Sequence, residues 1–223
     1  MKTTKFIPSK KDFINFTYNR LSNYDIEKKE LDKYFDSCIE NCTERFSLIK
    51  NKYFQNENYI FFRTGHYCQF FIILYELLRV IFMENKENNL LEKIFFLNTT
   101  QTGLDIYYTT KLPKKFFPVH PFGSVIGPRT VFGDKSSLII YNNCNLGRNN
   151  EDEHPSVEGN LIMLPNSSII GNCKIEGKVL LSNGCYLYNP GKIKNKMVFG
   201  VYPNNIYKDI NLDTFNSWNE FSN

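Results

Sequence analysis

Three histidines, His66, His120 and His154, and six cysteines are the residues whose types and spacing bear most directly on chemistry in this chain. A neutral imidazole can take the proton from an attacking hydroxyl, provided its tautomer and orientation are fixed. His66 lies in a stretch of helical spacing. His120 and His154 each lie where a six-residue apolar pattern is interrupted. A segment that leaves a repeat is the usual place for function, so these two are the candidates for proton transfer or acceptor contact. Zinc chemistry is disfavoured by the histidine count, and Cys38 and Cys42 stand four apart with no second pair at finger spacing. No metal site is expected.

The elements that must position these residues fall into two halves. In the segment 25–51, Leu31, Tyr34, Phe35, Cys38, Cys42, Phe46 and Ile49 recur at three- and four-residue steps, with charged residues between them. A further helix is expected from about Tyr59 to Met83, then a polar turn over 84–89 and a short helix over 90–97. Residues 1–100 thus read as a helical domain. From about Asp105 helical spacing gives way to Gly, Asn, Pro and β-branched residues. Steps of six from Val157 reach Met163, Ile169, Ile175, Leu181 and Leu187. Compact residues, Ser167, Cys173, Val179 and Cys185, follow four places after the middle four. The earlier register runs Ile106, Leu112, Pro118 and then Ile126, Phe132, Leu138, Cys144, with loops expected over 118–126 and 144–157. One large and one small residue per six is the mark of a hexapeptide β-helix, whose short strands bury their apolar side only by stacking. Sandwich strands would instead show turns every 8–12 residues. The fold class is α+β: a helical domain, a β-helix over 101–205, and a tail over 206–223.

The stretch GLDIYYTTKLPKKFFPVHPFGSVIGPRTVFGDKSSL, with LGRNNEDEHPSVEGN and SSIIGNCKI, resembles the serine acetyltransferase family. It is most similar to the branch in capsule and lipopolysaccharide gene clusters, where the histidine motif reads His-Pro-Gly-Gly. The resemblance covers roughly residues 60–205. It implies a left-handed helix, an exception to right-handed crossover, with acetyl-CoA as donor. It also implies homotrimers, or dimers of trimers, with sites between neighbouring subunits. In that family an Asp opens the first coil and the catalytic His follows fifteen residues later; here Asp105 precedes His120 by fifteen. Fifteen residues is close to one coil of three sixes, so the carboxylate could orient the imidazole from an adjacent level. His154, in Glu-Asp-Glu-His-Pro, matches the motif of a second histidine that contacts the acceptor. Gly147 corresponds to an oxyanion-donating backbone N–H, or is a plain turn glycine. The donor groove maps to Pro165 and Asn166 in one turn and to Asn183 and Gly184 in another.

Two departures bear on the acceptor. Serine acetyltransferases place an Asp before the catalytic His and an Arg before the second; here these positions hold Val119 and Glu153. An apolar Val cannot pair with the ammonium of serine, and a Glu in place of Arg would repel its carboxylate. The expected activity is therefore transfer of acetyl to a sugar hydroxyl of a capsular polysaccharide, a lipopolysaccharide or a sugar-nucleotide precursor. The alternative is a serine O-acetyltransferase of cysteine biosynthesis, although the terminal SWNEFSN lacks the Ile with which such enzymes dock in cysteine synthase. A γ-carbonic anhydrase would need three zinc-binding histidines around adjacent coils and has two. A β-helix serving only as an interaction module is the non-enzymatic reading.

Composition narrows the remaining classes. A chain of 223 residues with 16% aromatics is not disordered, and 27 basic against 23 acidic residues leaves a charge of +4, too small to imply a nucleic-acid partner. MKTTKFIPSKKDF has no apolar core and does not read as a signal peptide. The apolar run over 59–83 is broken by Arg63, His66, Glu76 and Arg79, which favours a buried helix over a peripheral membrane contact. A cytoplasmic location with reduced, packing cysteines is expected.

Overall fold

A computed structural model describes all residues except Met1, Asn23, Tyr24, Asp25, Glu27, Glu151, Asp152, Ser222 and Asn223. The chain forms two compact units, one of residues up to Thr102 together with Phe221, the other Gly103–Glu220.

The first unit holds β1 (Thr3–Ile7), α1 (Lys10–Ser22), α2 (Lys28–Leu48), β2 (Tyr59–Arg63), α3 (Tyr67–Glu84) and α4 (Leu90–Thr102). The stripe expected on α2 is buried from Leu31 to Phe46. The single helix expected over 59–83 is instead a strand followed by a helix. Tyr59–Arg63 pairs in parallel with Thr3–Ile7, and Gly65, at φ +81°, separates it from α3. A short apolar run has no period of its own, so strand and helix merged in the sequence. His66 caps α3, its side chain accepting from the Gln69 N–H. Phe62 stacks against Phe6, Phe13 and Phe46 with ring centroids 4.9–5.6 Å apart. Beside this cluster Arg45 and Glu76 form a buried ion pair.

The second unit is a parallel coil of short strands. β3 (Leu104–Ile106), β5 (Ser124–Ile126), β8 (Asn145–Gly147), β11 (Ser168–Ile170) and β13 (Tyr186–Tyr188) stack as one face. β4 (Lys115–Pro118), β7 (Ser137–Ile140) and β10 (Asn160–Met163) stack as another, while β6 (Val131–Phe132) and β9 (Pro155–Val157) begin a third. β12 (Cys173–Leu181) and β14 (Gly191–Phe199) each span both of the latter faces. They bend at Gly177 and Asn195, both at positive φ. A Cβ on Gly177 would lie 2.1 Å from the Asn195 amide oxygen, so that corner admits only glycine without rearrangement.

Inward side chains stack in rows. Val157, Met163, Ile169, Ile175, Leu181 and Leu187, the six positions of the expected register, are all fully buried. Two earlier positions differ. Leu146, not Cys144, stands between Ile126 and Ile169, and Ile140, not Leu138, lies beside Met163. A turn in which Ser136 N–H bonds Gly133 O at 3.0 Å adds two residues before β7. Leu138 and Ile140 both face inward, so a count of six fits either. Cys144 joins the row of small residues, 3.6 Å from the Ser167 hydroxyl.

The segment expected as a tail is structured. β15 (Ile206–Asp209) pairs antiparallel with β14, and α5 (Leu212–Trp218) follows. Ile139, Ile162 and Leu180 lie between inward neighbours and so face outward, yet they are buried. α5 lies on that side: Phe215 is buried with Lys178 over its ring, and Trp218 meets Tyr141 edge-on at 5.8 Å.

Ile169 is buried with stacked neighbours on both sides, so Ile169→Ala should cost ~2–5 kcal/mol in chemical denaturation. All six cysteines are free and buried, and burial pushes the Cys173 thiol up to about 12 and Cys185 to about 11. Thiol titration of the native protein at pH 8 should therefore be slow, and complete only after unfolding.

Candidate functional site

Each turn of the coil has three corners, and the chemistry-bearing residues lie at two of them. The corner leading into the β3–β5–β8 face carries the loop 119–123. This loop is fixed from both sides. Val119 N–H bonds Ile140 O at 2.8 Å, Gly123 N–H bonds Gly103 O at 2.8 Å, and Asn143 N–H bonds Phe122 O at 2.9 Å. Gly103 must lack a side chain, because a Cβ there would lie 2.6 Å from the Phe122 ring. Held in this way, His120 is exposed and adopts φ +48°, with its carbonyl accepting from the Phe122 N–H at 3.0 Å. A left-handed histidine costs backbone energy that the surrounding hydrogen bonds must offset, and such positions concentrate at functional sites.

Asp105 is the outward residue of β3, half-exposed and level with Val125 on the next coil. It lies two residues beyond Gly103, which anchors the His120 loop. The carboxylate and the imidazole are thus brought to one edge. The expected donor residues share this edge. Gly184 N–H bonds Pro165 O at 2.9 Å, stacking the two turns, and Asn143 donates to Asn166 Oδ1 at 3.0 Å. Asn166 and Gly184 are both left-handed, Asn183 is exposed, and nothing lies within 4 Å of where a Gly184 side chain would begin. Gly147 ends β8 as a strand residue, its carbonyl accepting from Gly171 N–H at 2.8 Å, so the turn-glycine alternative does not apply.

His154 lies at the next corner, across that face. There the turns 107–110 and 127–130 stack on successive coils, each closed by a Thr N–H on the carbonyl three residues before. On the third coil β8 ends at Gly147, and His154 comes just before β9. The histidine is half-buried, and its Nδ1 is buried without a hydrogen-bond partner. It lines a cleft of about 430 Å³ with Thr110, Lys111, Arg129, Thr130 and Phe132. The sequence reading missed this cleft; its only trace is a Thr at the same place in two consecutive coils. In one chain His120 and His154 therefore occupy different edges.

Glu153 does not face outward as an open charge. Its Oε2 accepts from the side-chain amides of Asn149 at 2.8 Å, Asn150 at 3.2 Å and Asn189 at 3.0 Å, tying Asn149 and Asn150 to the fifth coil. Val119 is half-buried and offers no charge. Among the described residues no group of three His, Cys, Asp or Glu could hold a metal ion.

The fold has known counterparts. The chain is 35% identical over 81 residues to a serine acetyltransferase of Staphylococcus epidermidis, a match covering 35% of this chain and 37% of that protein. The chain thus aligns with little more than a third of its curated relative. Among solved structures it is similar to the serine acetyltransferase of Brucella abortus strain S19, with a TM-score of 0.65 at 17% identity over 89% of this chain and 82% of that one. A serine acetyltransferase in complex with CoA matches with a TM-score of 0.62 at 14% identity, over 86% of this chain and 83% of the other. The fold is theirs: helices followed by a left-handed parallel β-helix. No protein-family model matches the chain.

Replacing Glu153 by Ala removes the shared acceptor of three amides. Hydrogen exchange at the Asn149 and Glu153 amides should quicken by about tenfold, while exchange in β11 and β12 stays unchanged.

Proposed function

We propose that the protein is an acetyl-CoA-dependent O-acetyltransferase in which His120 is the general base. The observation that carries this reading is the left-handed His120, presented by a hydrogen-bonded loop on the same edge as the turns that would line the donor groove. The fold shared with a CoA-bound serine acetyltransferase supports the donor.

In this mechanism the His120 imidazole takes the acceptor hydroxyl proton as that oxygen attacks the thioester carbonyl of acetyl-CoA. Asp105, on the same edge, stabilises the imidazolium. The carbonyl oxygen becomes an oxyanion, held by backbone N–H groups near Gly147. The carbon–sulfur bond then breaks, and the CoA thiolate leaves with the proton from His120. No acyl-enzyme forms. His154 would hold the acceptor. Because His120 and His154 occupy different edges of one chain, a site using both is best completed between neighbouring copies, which favours a homotrimer or a dimer of trimers.

A sugar hydroxyl, on a glycan or its nucleotide-linked precursor, is the acceptor that the residues favour. Val119 is uncharged, and Glu153 is engaged by three asparagines, so neither supplies a clamp for serine. The names of the relatives favour the second reading, serine O-acetylation. A cytoplasmic enzyme fits the donor. No described helix is long and apolar enough to cross a membrane.

His120→Ala should lower acetyl transfer by about 10²–10⁴-fold with acetyl-CoA binding retained. Transfer assayed against serine, sugar nucleotides and purified polysaccharides separates the two acceptors, and near-normal turnover in His120→Ala would overturn the general-base assignment.

A further inference from the structure

The cleft beside His154 has a chemistry that the catalytic reading does not use. Two cationic side chains, Lys111 and Arg129, flank it. The Thr130 side chain lines it, 6% exposed, and its hydroxyl has no hydrogen-bond partner. The Nδ1 of His154 is likewise buried and unpartnered. A hydroxyl and a ring nitrogen left unpaired in a protein interior each carry a desolvation cost, which a ligand able to bond both would remove. The strand register explains why these groups meet. Val131 pairs with Ser156, so two residues earlier Arg129 comes level with His154. Two acidic groups lie nearby: Asp134 pairs with Lys111 at 3.2 Å, which leaves Arg129 as the other cation of the lining, and Glu158 accepts from Ser156.

We propose that this cleft is the acceptor subsite and that it binds an oxyanion, so that the acceptor is an acidic sugar bearing a carboxylate. Arg129 supplies the countercharge, Thr130 donates to the anion, and His154 bonds a sugar hydroxyl or the carboxylate itself. Volume and charge separate this ligand from serine. A cleft of about 430 Å³ encloses a whole small molecule, of which serine would fill a small part. No open carboxylate faces it among the described residues to receive an ammonium. The assignment of the cleft to the acceptor rests on the acetyl-transfer reading above, whereas oxyanion binding does not depend on it.

Calorimetric titration of the full chain with glucuronate, glucose, serine and inorganic phosphate tests the proposal without requiring turnover. Glucuronate is expected to bind more tightly than glucose or serine, and phosphate to compete with it. Arg129→Gln, an exposed position, should weaken glucuronate by about tenfold, the size expected for one lost charge-assisted hydrogen bond. Thr130→Val should also weaken it while leaving the melting temperature unchanged or higher, because an unpaired buried hydroxyl is removed. Glucose or serine binding as tightly as glucuronate, or an Arg129→Gln variant of unchanged affinity, would overturn the proposal. If glucuronate binds as expected but no acetyl-CoA binds, the acetyltransferase reading fails while the oxyanion site stands. If acetyl-CoA binds and neutral sugars are acetylated as readily as acidic ones, the oxyanion proposal fails and the enzyme reading stands.

Discussion

Everything in the second unit depends on one constraint: each inward side chain must rest on another of the same row in the next coil. Ile106, Ile126, Leu146, Ile169 and Leu187 form such a row, and a short strand cannot bury its apolar side without these neighbours. The strands therefore have no freedom to gain or lose residues. Ile169 and Leu187 are eighteen residues apart and pair without a shift. Any extra residue must leave at a corner, where the backbone turns and the row is not interrupted.

Function has room only where the stacking permits it. The loops 119–123 and 148–154 are corner excursions, and they carry His120 and His154. Their neighbours are coils too rigid to follow them, so each excursion is tied down by hydrogen bonds. For the first loop the partners are Gly103, Ile140 and Asn143. For the second, a single Glu153 oxygen gathers three asparagine amides.

The legible and illegible parts of this chain divide on physical grounds. The six-residue register could be read because burial in a coil is strict, and all six positions from Val157 to Leu187 are sealed. It slipped by two at the Gly133–Ser136 turn because Leu138 and Ile140 both point inward. The strand at Tyr59–Arg63 was hidden in an apolar run continuous with α3, and pairing with Thr3–Ile7 is a non-local fact. Of the proposed site, the two histidines stand at breaks in the repeat, whereas Thr130 and Arg129 carry no such signal, since their placement depends on which coil stands beside them.

By itself the sequence determined the coil, the corners at which it breaks, and the residue types at those corners, because stacking converts a period directly into burial. The tertiary structure alone decided three further matters. It set His120 in a left-handed conformation, placed His120 and His154 on different edges of one chain, and turned Glu153 from an apparent open charge into a tether. Each depends on contacts between residues of different coils, up to thirty-six positions apart in the case of Asn189 and Glu153. A linear period fixes which residues face inward, but it does not fix what the outward residues at the corners meet.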